Sequence, residues 1–226
     1  MGTLGQINTR RGLPRGRGSL PPEVIARAQR DRILRAMVAA AAVLGYANVR
    51  IADVVNRARV SRQSFYAQFS GKEDCFLAAH TEGMAVIVER LAGWTPEQAA
   101  PAVPPDPADP TAPITAAVGA YLQLAADEPE FAHCMLIELP AIGLRGLQAR
   151  LAAHRQIAEL LRTWHEEARR AHPDWPSVPA SRYAAAVGAV HDLLYDAVAS
   201  RHADRAPALR EDAVDAVLTL LEIPRA

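Results

Sequence analysis

Apolar residues recur every three or four positions along most of the chain, a spacing that places them on one face of an α-helix. The first such run spans residues 21–44, where Pro22 and Glu23 suit a helix start and Gly45 suits a helix stop. No stretch alternates apolar and polar residues as a half-buried strand would. The pattern predicts an all-α fold of about nine helices. The ranges predicted after the first are 48–58, a short helix from 61, 71–91, 114–126, 128–139, 144–171, 181–200 and 209–223.

Two segments interrupt this helical pattern. Residues 1–20 are rich in glycine and arginine and hold few apolar side chains, which predicts a disordered basic arm. Six prolines lie in residues 94–112, which predicts a surface loop between two helices.

Charge is separated along the chain although the formal net charge is zero. Residues 1–72 hold thirteen basic and three acidic side chains, whereas residues 73–226 hold twelve basic and twenty-two acidic ones. This asymmetry is typical of a protein whose first part binds a polyanion while the rest stays away from it. A solvated basic tail is the alternative explanation.

Residues 50–72 have the pattern of two short helices joined by a turn. The core-facing positions are apolar: Ile51, Val54, Val55, Val60, Phe65 and Phe69. The hydroxyl of Ser61 is expected to cap the second helix, whose opposite face presents Arg62, Gln63, Ser64 and Tyr66. Arginine and glutamine read base edges in the major groove, whereas hydroxyl groups and tyrosine suit phosphates. The segment therefore predicts a helix-turn-helix that binds double-stranded DNA.

The chain resembles the TetR family of transcriptional regulators over residues 30–76. The matching positions are Arg30, Ile33, Leu34, Ala36, Gly45, Tyr46, residues 60–66, Phe69, Lys72 and Glu73. The resemblance implies that the recognition helix, which starts at Ser61, brings Arg62, Gln63 and Ser64 to the bases. It also implies that Tyr66 and Lys72 contact the phosphate backbone.

Three residues depart from the family's pattern. Arg50 stands where threonine is common and is expected to reach phosphate directly. Ala41 replaces a usual phenylalanine, which leaves volume for neighbouring side chains. Arg59 replaces the glycine of the turn, and a positive φ there would cost on the order of 1 kcal/mol. We expect Arg59 to strengthen DNA binding while it strains the turn.

The arginines of the arm, Arg10, Arg11, Arg15 and Arg17, have two explanations. They belong either to a solvated tail or to an arm that enters the adjacent minor groove, as in other helix-turn-helix proteins.

The resemblance further implies a division into the arm (1–20), a helix-turn-helix domain (21–71) and a ligand-binding and dimerisation domain (72–226). The last two helices would pair with those of a second subunit to form a homodimer. Small residues on one of them, Ala184, Ala185, Gly188 and Ala189, permit close approach of another helix. The last helix offers apolar residues for the same purpose: Ala213, Val214, Val217, Leu218, Leu220 and Leu221. Such a dimer would place two recognition helices roughly 34–36 Å apart on a palindromic operator.

A ligand pocket is implied among the fourth to eighth helices. Its candidate residues are polar or aromatic: His80, Met84, Trp94, Tyr121, His133, Met135, Trp164, His191 and Tyr195. Each of them is also explained as a core residue. An apolar pocket of this kind suits a small hydrophobic or amphipathic effector. The effector would favour a dimer whose recognition helices no longer match the groove spacing.

Catalytic signals are weak. The seven histidines show no metal-ligand spacing, and neither a glycine-rich phosphate loop nor a nucleophile elbow is present. We therefore expect no enzyme activity, cofactor or metal, and we interpret Cys75 and Cys134 as core residues. Without an export signal or a long apolar run, the chain is expected to be cytoplasmic and to stay out of membranes. An enzyme with a basic arm and an architectural DNA-binding protein without a ligand remain as alternatives.

Overall fold

The computed structural model describes residues 21–92 and 109–224, and these ranges contain nine α-helices and no strand. The helices are α1 (Pro22–Leu44), α2 (Ile51–Ala58), α3 (Arg62–Tyr66), α4 (Lys72–Ala92), α5 (Ala112–Asp127), α6 (Pro129–His133), α7 (Leu144–Ala171), α8 (Ala180–Ala199) and α9 (Arg210–Leu220). Short 3-10 segments cover Tyr46–Asn48, Leu139–Ile142 and Ala203–Leu209, and a π-helical turn covers Cys134–Glu138. The predicted all-α fold is confirmed. The predicted arm, residues 94–108 of the predicted loop and Trp94 lie outside the described residues.

Helix α1 packs against α2 of the helix-turn-helix and against α4. Gly45 ends α1 with φ at +77°, a backbone conformation that glycine adopts without strain. The centre of this domain is an apolar core in which Ile33, Met37, Val54 and Phe65 are completely buried. Phe65 and Phe69 share that core, with ring centroids 5.5 Å apart, as their spacing predicts.

The second domain is built around α7 and α8. The long helix α7 packs against α4 on one side and α8 on the other, while α8 also packs against α9. Helix α5 lies against α9 and the 3-10 segment Ala203–Leu209. This arrangement surrounds the interior that α4, α5, α7 and α8 share.

The buried face of α7 differs in part from the one that its helical spacing predicts, which is Leu147, Leu151, Ile157, Leu160, Leu161 and Trp164. Leu161 is buried and Ile157, Leu160 and Trp164 are half-buried, but Leu147 and Leu151 are 48% and 44% exposed. Gly146 lies on the face that packs instead, because a Cβ there would stand 2.1 Å from the carbonyl oxygen of Leu139. Ala153 and Leu161 continue the buried face along the helix. Close backbone packing at a glycine has thus decided which side of the helix turns inward.

Helix α9 also differs in part from the expectation. Four of its expected interface residues are buried within the chain itself: Ala213, Val217, Leu218 and Leu221. Val214 and Leu220 are half-buried. The apolar stripe of α9 therefore serves mainly the protomer's own core.

The start of α4 is capped by Asp74, although the sequence Ser70-Gly71-Lys72-Glu73 has the pattern of a capping box, which predicts Glu73 in that role. The backbone N–H and the hydroxyl of Ser70 both donate to Asp74, at 2.9 and 3.1 Å, and not to Glu73. Glu73 instead accepts from Arg145 at the start of α7, at 2.6 Å. One acid thus stabilises the helix start while the other joins α4 to α7.

Candidate nucleic-acid interface and sensor interior

Local hydrogen bonds fix the position of the recognition helix α3. The Ser61 hydroxyl accepts the Ser64 N–H at 2.9 Å, so the predicted cap is confirmed. At the start of α2, Asp53 accepts the Arg50 N–H at 2.8 Å. The turn between the helices passes through Arg59, which has φ +53° and ψ +50°. The predicted positive φ is therefore present.

Most of the predicted DNA-binding side chains lie at the surface of this unit. Arg62, Gln63 and Tyr66 are exposed on α3, and Tyr66 is 57% exposed despite its aromatic ring. Arg50 and Arg59 are exposed at the two ends of α2. None of these side chains forms an ion pair within residues 21–92 and 109–224, and their charges and hydrogen-bonding groups face solvent. Arg57 is exposed on α2 as well; the sequence pattern did not single it out.

Ser64 and Lys72 are held by the protein itself. The Ser64 and Ser61 hydroxyl oxygens lie 2.9 Å apart, which ties Ser64 to the cap. The Lys72 ammonium donates to the carbonyl oxygens of Tyr46 and Ala47 at 3.0 and 3.1 Å and lies 4.5 Å above the Tyr46 ring. An ammonium has three hydrogens, so one is left for a phosphate.

Replacement of Arg59 by glycine is expected to raise the free energy of unfolding by about 1 kcal/mol, because glycine adopts this left-handed backbone without strain. We also expect weaker DNA binding and a smaller salt dependence, since one exposed cation is lost. The matched control is Arg59→Ala, which removes the same charge but keeps the strain. Urea unfolding and DNA titrations at several salt concentrations measure both effects. Unchanged affinity and salt slope in both variants would contradict the DNA-binding role of Arg59.

One carboxylate joins the DNA-binding domain to the second domain. Glu138, at the end of the π-helical turn, accepts the Tyr46 backbone N–H at 2.7 Å. The same carboxylate lies 3.2 Å from Nε2 of His133. Two further contacts cross the junction: the Cys134 thiol donates to the Val38 carbonyl, and Arg201 donates to the Ala42 carbonyl. The π-helical turn and the end of α8 therefore contact α1 and its C-terminal end directly.

The interior of the second domain contains two apolar pockets, and Tyr121 lines both. The first pocket is lined by residues of α4, α5, α6, the π-helical turn and α8, including Met84, Phe131 and Met135. The second is lined by residues of α4, α5, α7, α8 and α9, including Trp164. Both pockets open toward solvent and are narrow: the space that the centre of a water-sized sphere can occupy is about 40 Å³ in the first and about 50 Å³ in the second. Burial raises the pKa of the Tyr121 hydroxyl to about 12.

The remaining predicted pocket residues lie elsewhere. Tyr195 lines neither pocket and is 44% exposed on α8. His133 faces the Glu138 carboxylate at the domain junction. His80 and His191 are buried, but they belong to a polar cluster outside both pocket linings. Of the predicted pocket residues, the structure thus places four at the pockets: Met84, Tyr121, Met135 and Trp164.

The polar cluster consists of His80 on α4, Arg150 and His154 on α7, and His191 on α8. The Arg150 guanidinium donates to Nδ1 of His191 at 3.3 Å. The rings of His154 and His191 meet edge to face, with centroids 4.7 Å apart. The sequence pattern missed Arg150 and His154, because only the tertiary packing of three helices brings these residues together.

Acidification is expected to destabilise the protein through this cluster. Burial lowers the pKa of His80 to about 4 and that of His191 to about 3, with repulsion from His154 as the second cause. Both side chains are therefore neutral in the folded protein. Their contribution to the free energy of unfolding is complete above pH 6.5, the usual histidine pKa, and is lost as the pH falls toward 4. We expect a loss of on the order of 2 kcal/mol per histidine between pH 7 and pH 5. Urea unfolding across this range measures it. His191→Gln should flatten the profile, whereas the exposed control His202→Gln should not; identical profiles for all three proteins would contradict the assignment.

The two cysteines are core residues. Both are fully buried. Burial raises the pKa of the Cys75 thiol to about 12, and it also raises the pKa of the Cys134 thiol above its usual value. A thiol that stays protonated is a poor nucleophile. Their burial agrees with the packing role expected from the sequence.

Residues 21–92 and 109–224 contain neither a candidate metal site nor a candidate membrane-spanning helix. Within these ranges no three histidine, cysteine or acidic side chains gather as metal ligands would. No helix there has both the length and the apolar character needed to cross a bilayer.

Solved structures of bacterial regulators share the fold of this chain. The fatty acid degradation regulator FadR from Bacillus halodurans has a TM-score of 0.72 and 17% identity, with 89% of this chain and 97% of that chain covered. FadR from Bacillus subtilis, solved in complex with stearoyl-CoA, has a TM-score of 0.69 and 16% identity, with 86% and 98% covered. A TetR-family regulator from Bordetella parapertussis has a TM-score of 0.58 and 21% identity, with 87% and 98% covered. No curated protein sequence matches the chain.

The sequence of the helix-turn-helix region matches a known family. Residues 33–79 match the model of the bacterial regulatory proteins of the TetR family. This part of the chain is similar to the TetR-family DNA-binding region. The match runs from Ile33 in α1 to Ala79 in α4 and so includes the whole helix-turn-helix. The chain combines that helix-turn-helix with a helical second domain in a TetR-like fold.

Proposed function

We propose that this chain is a ligand-responsive transcriptional repressor that binds a palindromic operator as a homodimer in the cytoplasm. The observation that carries the proposal is the exposed face of α3. There Arg62, Gln63 and Tyr66 face solvent on a helix that Ser61 caps and Phe65 anchors. The separation of charge along the chain supports the same orientation, with the basic part toward DNA.

The exposed side of α8 supports a two-fold dimer. Ala184 and Ala185 are exposed, and a Cβ added to Gly188 would meet no atom within 4 Å. Such a surface lets a second helix approach closely. Because α9 turns most of its apolar residues into its own core, we assign the larger share of the interface to α8.

Gly188→Leu is expected to shift the protein from dimer to monomer, because its side chain would occupy the space that the partner helix needs. Sedimentation velocity over a range of protein concentrations measures the shift. Ala85→Leu, at an exposed alanine on α4, is the matched control and should stay dimeric. If Gly188→Leu leaves the oligomeric state unchanged, the interface on α8 is wrong.

A small-molecule effector is supported by the two apolar pockets and by their position. Met135 and Leu136 line the first pocket and lie in the π-helical turn that ends at Glu138. Glu138 in turn holds the backbone of Tyr46 between α1 and α2. A ligand that moves this turn would move the helix-turn-helix, which gives a physical route for population shift. The stearoyl-CoA bound by the Bacillus subtilis regulator is an amphipathic molecule, and we propose an effector of that general kind.

The test of the proposal is binding of the full chain to the DNA that flanks its own gene. Fluorescence anisotropy should show saturable binding by a dimer, tighter than to unrelated DNA of the same length and weakened by salt. A random-sequence selection run in parallel should return a palindrome. Failure at the flanking DNA alone would refute autoregulation, whereas failure of both would refute the repressor. The architectural alternative predicts binding without sequence preference.

A further inference from the structure

The cluster of His80, Arg150, His154 and His191 has buried polar groups without partners. His80 and His191 are only 4% and 7% exposed. Nδ1 of His80 and Nε2 of His154 are buried and make no hydrogen bond within the protein. Buried polar atoms are paired in the great majority of cases, so two unpaired nitrogens in one cluster call for an explanation.

Arg150 supplies a charge that has no counterion among the described residues. Its hydrogen bond goes to the His191 ring, which accepts through Nδ1 and is therefore neutral. Two other arginines of the same helix are paired with carboxylates: Arg145 with Glu73 at 2.6 Å, and Arg162 with Glu159 and Glu166. A half-buried guanidinium that interacts with the His154 and His191 rings and forms no ion pair among the described residues is an environment that favours an anion.

The cluster lies where the two pockets adjoin. His191 stands between Val190, which lines the second pocket, and Leu194, which lines the first. His80 is one helical turn before Met84 of the first pocket. The charge of Arg150 also acts on Tyr121, the residue common to both pockets. A charged group held by Arg150 would thus have apolar space beside it.

We propose that Arg150 and the histidines around it bind the anionic headgroup, a carboxylate or a phosphate, of an amphipathic effector whose apolar chain enters the adjoining pockets. The guanidinium supplies the charge, and the imidazole N–H groups supply further donors. An anion there would satisfy both the unpaired charge and the unpaired nitrogens. This inference rests on the proposed function, because it names the ligand class of the proposed sensor domain.

Calorimetric titration of the full-length protein with three probes of equal chain length tests the proposal. The probes are dodecanoate, dodecanoyl-CoA and dodecanol, each below the concentration at which it aggregates. We expect at least one anionic probe to bind ten times more tightly than the uncharged alcohol. A preference for dodecanoate would identify the carboxylate as the recognised group, and a preference for dodecanoyl-CoA would identify the phosphates. Equal binding of all three, or no binding of any, would overturn the proposal.

Two substitutions assign the preference to Arg150. Arg150→Met keeps the length of the side chain but removes its charge, and it should lose tenfold or more of the preference for the anion. Arg150→Lys keeps the charge and should retain most of the preference for the anion. Arg155→Met, at an exposed arginine of the same helix, should behave as wild type. An unchanged preference in Arg150→Met would overturn the assignment.

A DNA titration separates this proposal from the function on which it rests. Without any probe present, Arg150→Met is expected to bind DNA as wild type does. Failure of all variants to bind DNA would refute the proposed repressor and leave the anion preference as a separate result. Normal DNA binding without an anion preference would refute the headgroup site alone.

Discussion

Replacement of both Arg62 and Gln63 by alanine is expected to weaken operator binding at least about thirtyfold and to abolish the preference for operator over random DNA. A good bidentate contact to a base contributes about 1–3 kcal/mol of discrimination, and tenfold in affinity corresponds to about 1.4 kcal/mol. Both side chains are exposed, and alanine favours the helix. The substitutions therefore remove recognition without removing the fold. Competition titrations against random DNA measure the loss of preference.

The matched control for this double substitution is Arg170→Ala. Arg170 is an exposed arginine near the end of α7, the end opposite to Arg145, which pairs with Glu73 at the start of α4. Its loss changes the net charge equally but leaves α3 intact. If the control weakens operator binding as much as the double substitution does, total charge governs the affinity, and the assigned recognition face is wrong.

Replacement of Glu138 by alanine is expected to abolish effector-induced release of DNA. The Tyr46 N–H and His133 would lose their acceptor at the domain junction, so the free energy of unfolding should fall by about 1.5–3 kcal/mol. Allosteric coupling is typically about 1–3 kcal/mol, or 5- to 150-fold in affinity. In wild type, a saturating amphipathic effector should lower DNA affinity by a factor in this range. In Glu138→Ala that factor should approach one, while the effector still binds.

Glu138→Gln separates the hydrogen bond from the charge. Its side-chain carbonyl oxygen can still accept the Tyr46 N–H, so most of the coupling should remain. DNA titrations with and without dodecanoyl-CoA measure the factor for each variant, and calorimetry confirms that the effector is bound. Undiminished DNA release in Glu138→Ala would place the route between the domains elsewhere.

Local signals in the sequence predicted the elements of the DNA-binding domain well. Pro22, Gly45 and Ser61 mark the start of α1, its end and the start of α3, and each acts through its own backbone or its nearest neighbours. The positive φ of Arg59 is of the same kind, because the turn between two short helices fixes it. Such features depend on a few adjacent residues and can therefore be predicted from a single sequence.

The domain junction and the anion-binding cluster could not be predicted in this way. Glu138 contacts a residue 92 positions earlier in the chain, and Arg150 contacts one 41 positions later. Hydrophobic spacing was also misleading in α7, where Leu147 and Leu151 are exposed. The absence of a side chain at Gly146 lets the Leu139 backbone approach, and this contact outweighs the apolar pattern. Only tertiary packing reveals such contacts.

Because Cys134–Glu138 form a π-helical turn, the number of residues in this segment determines the direction in which Glu138 points. A π-helical turn accommodates one residue more than an α-helical turn, and one residue corresponds to about 100° of rotation. Loss of a single residue here would let the segment return to α-helical register, and Glu138 would then point away from Tyr46. Small deletions are usually tolerated in surface loops, yet this helix should reject them while it accepts many substitutions. Across related chains, the number of residues between α6 and α7 should therefore vary less than their identity.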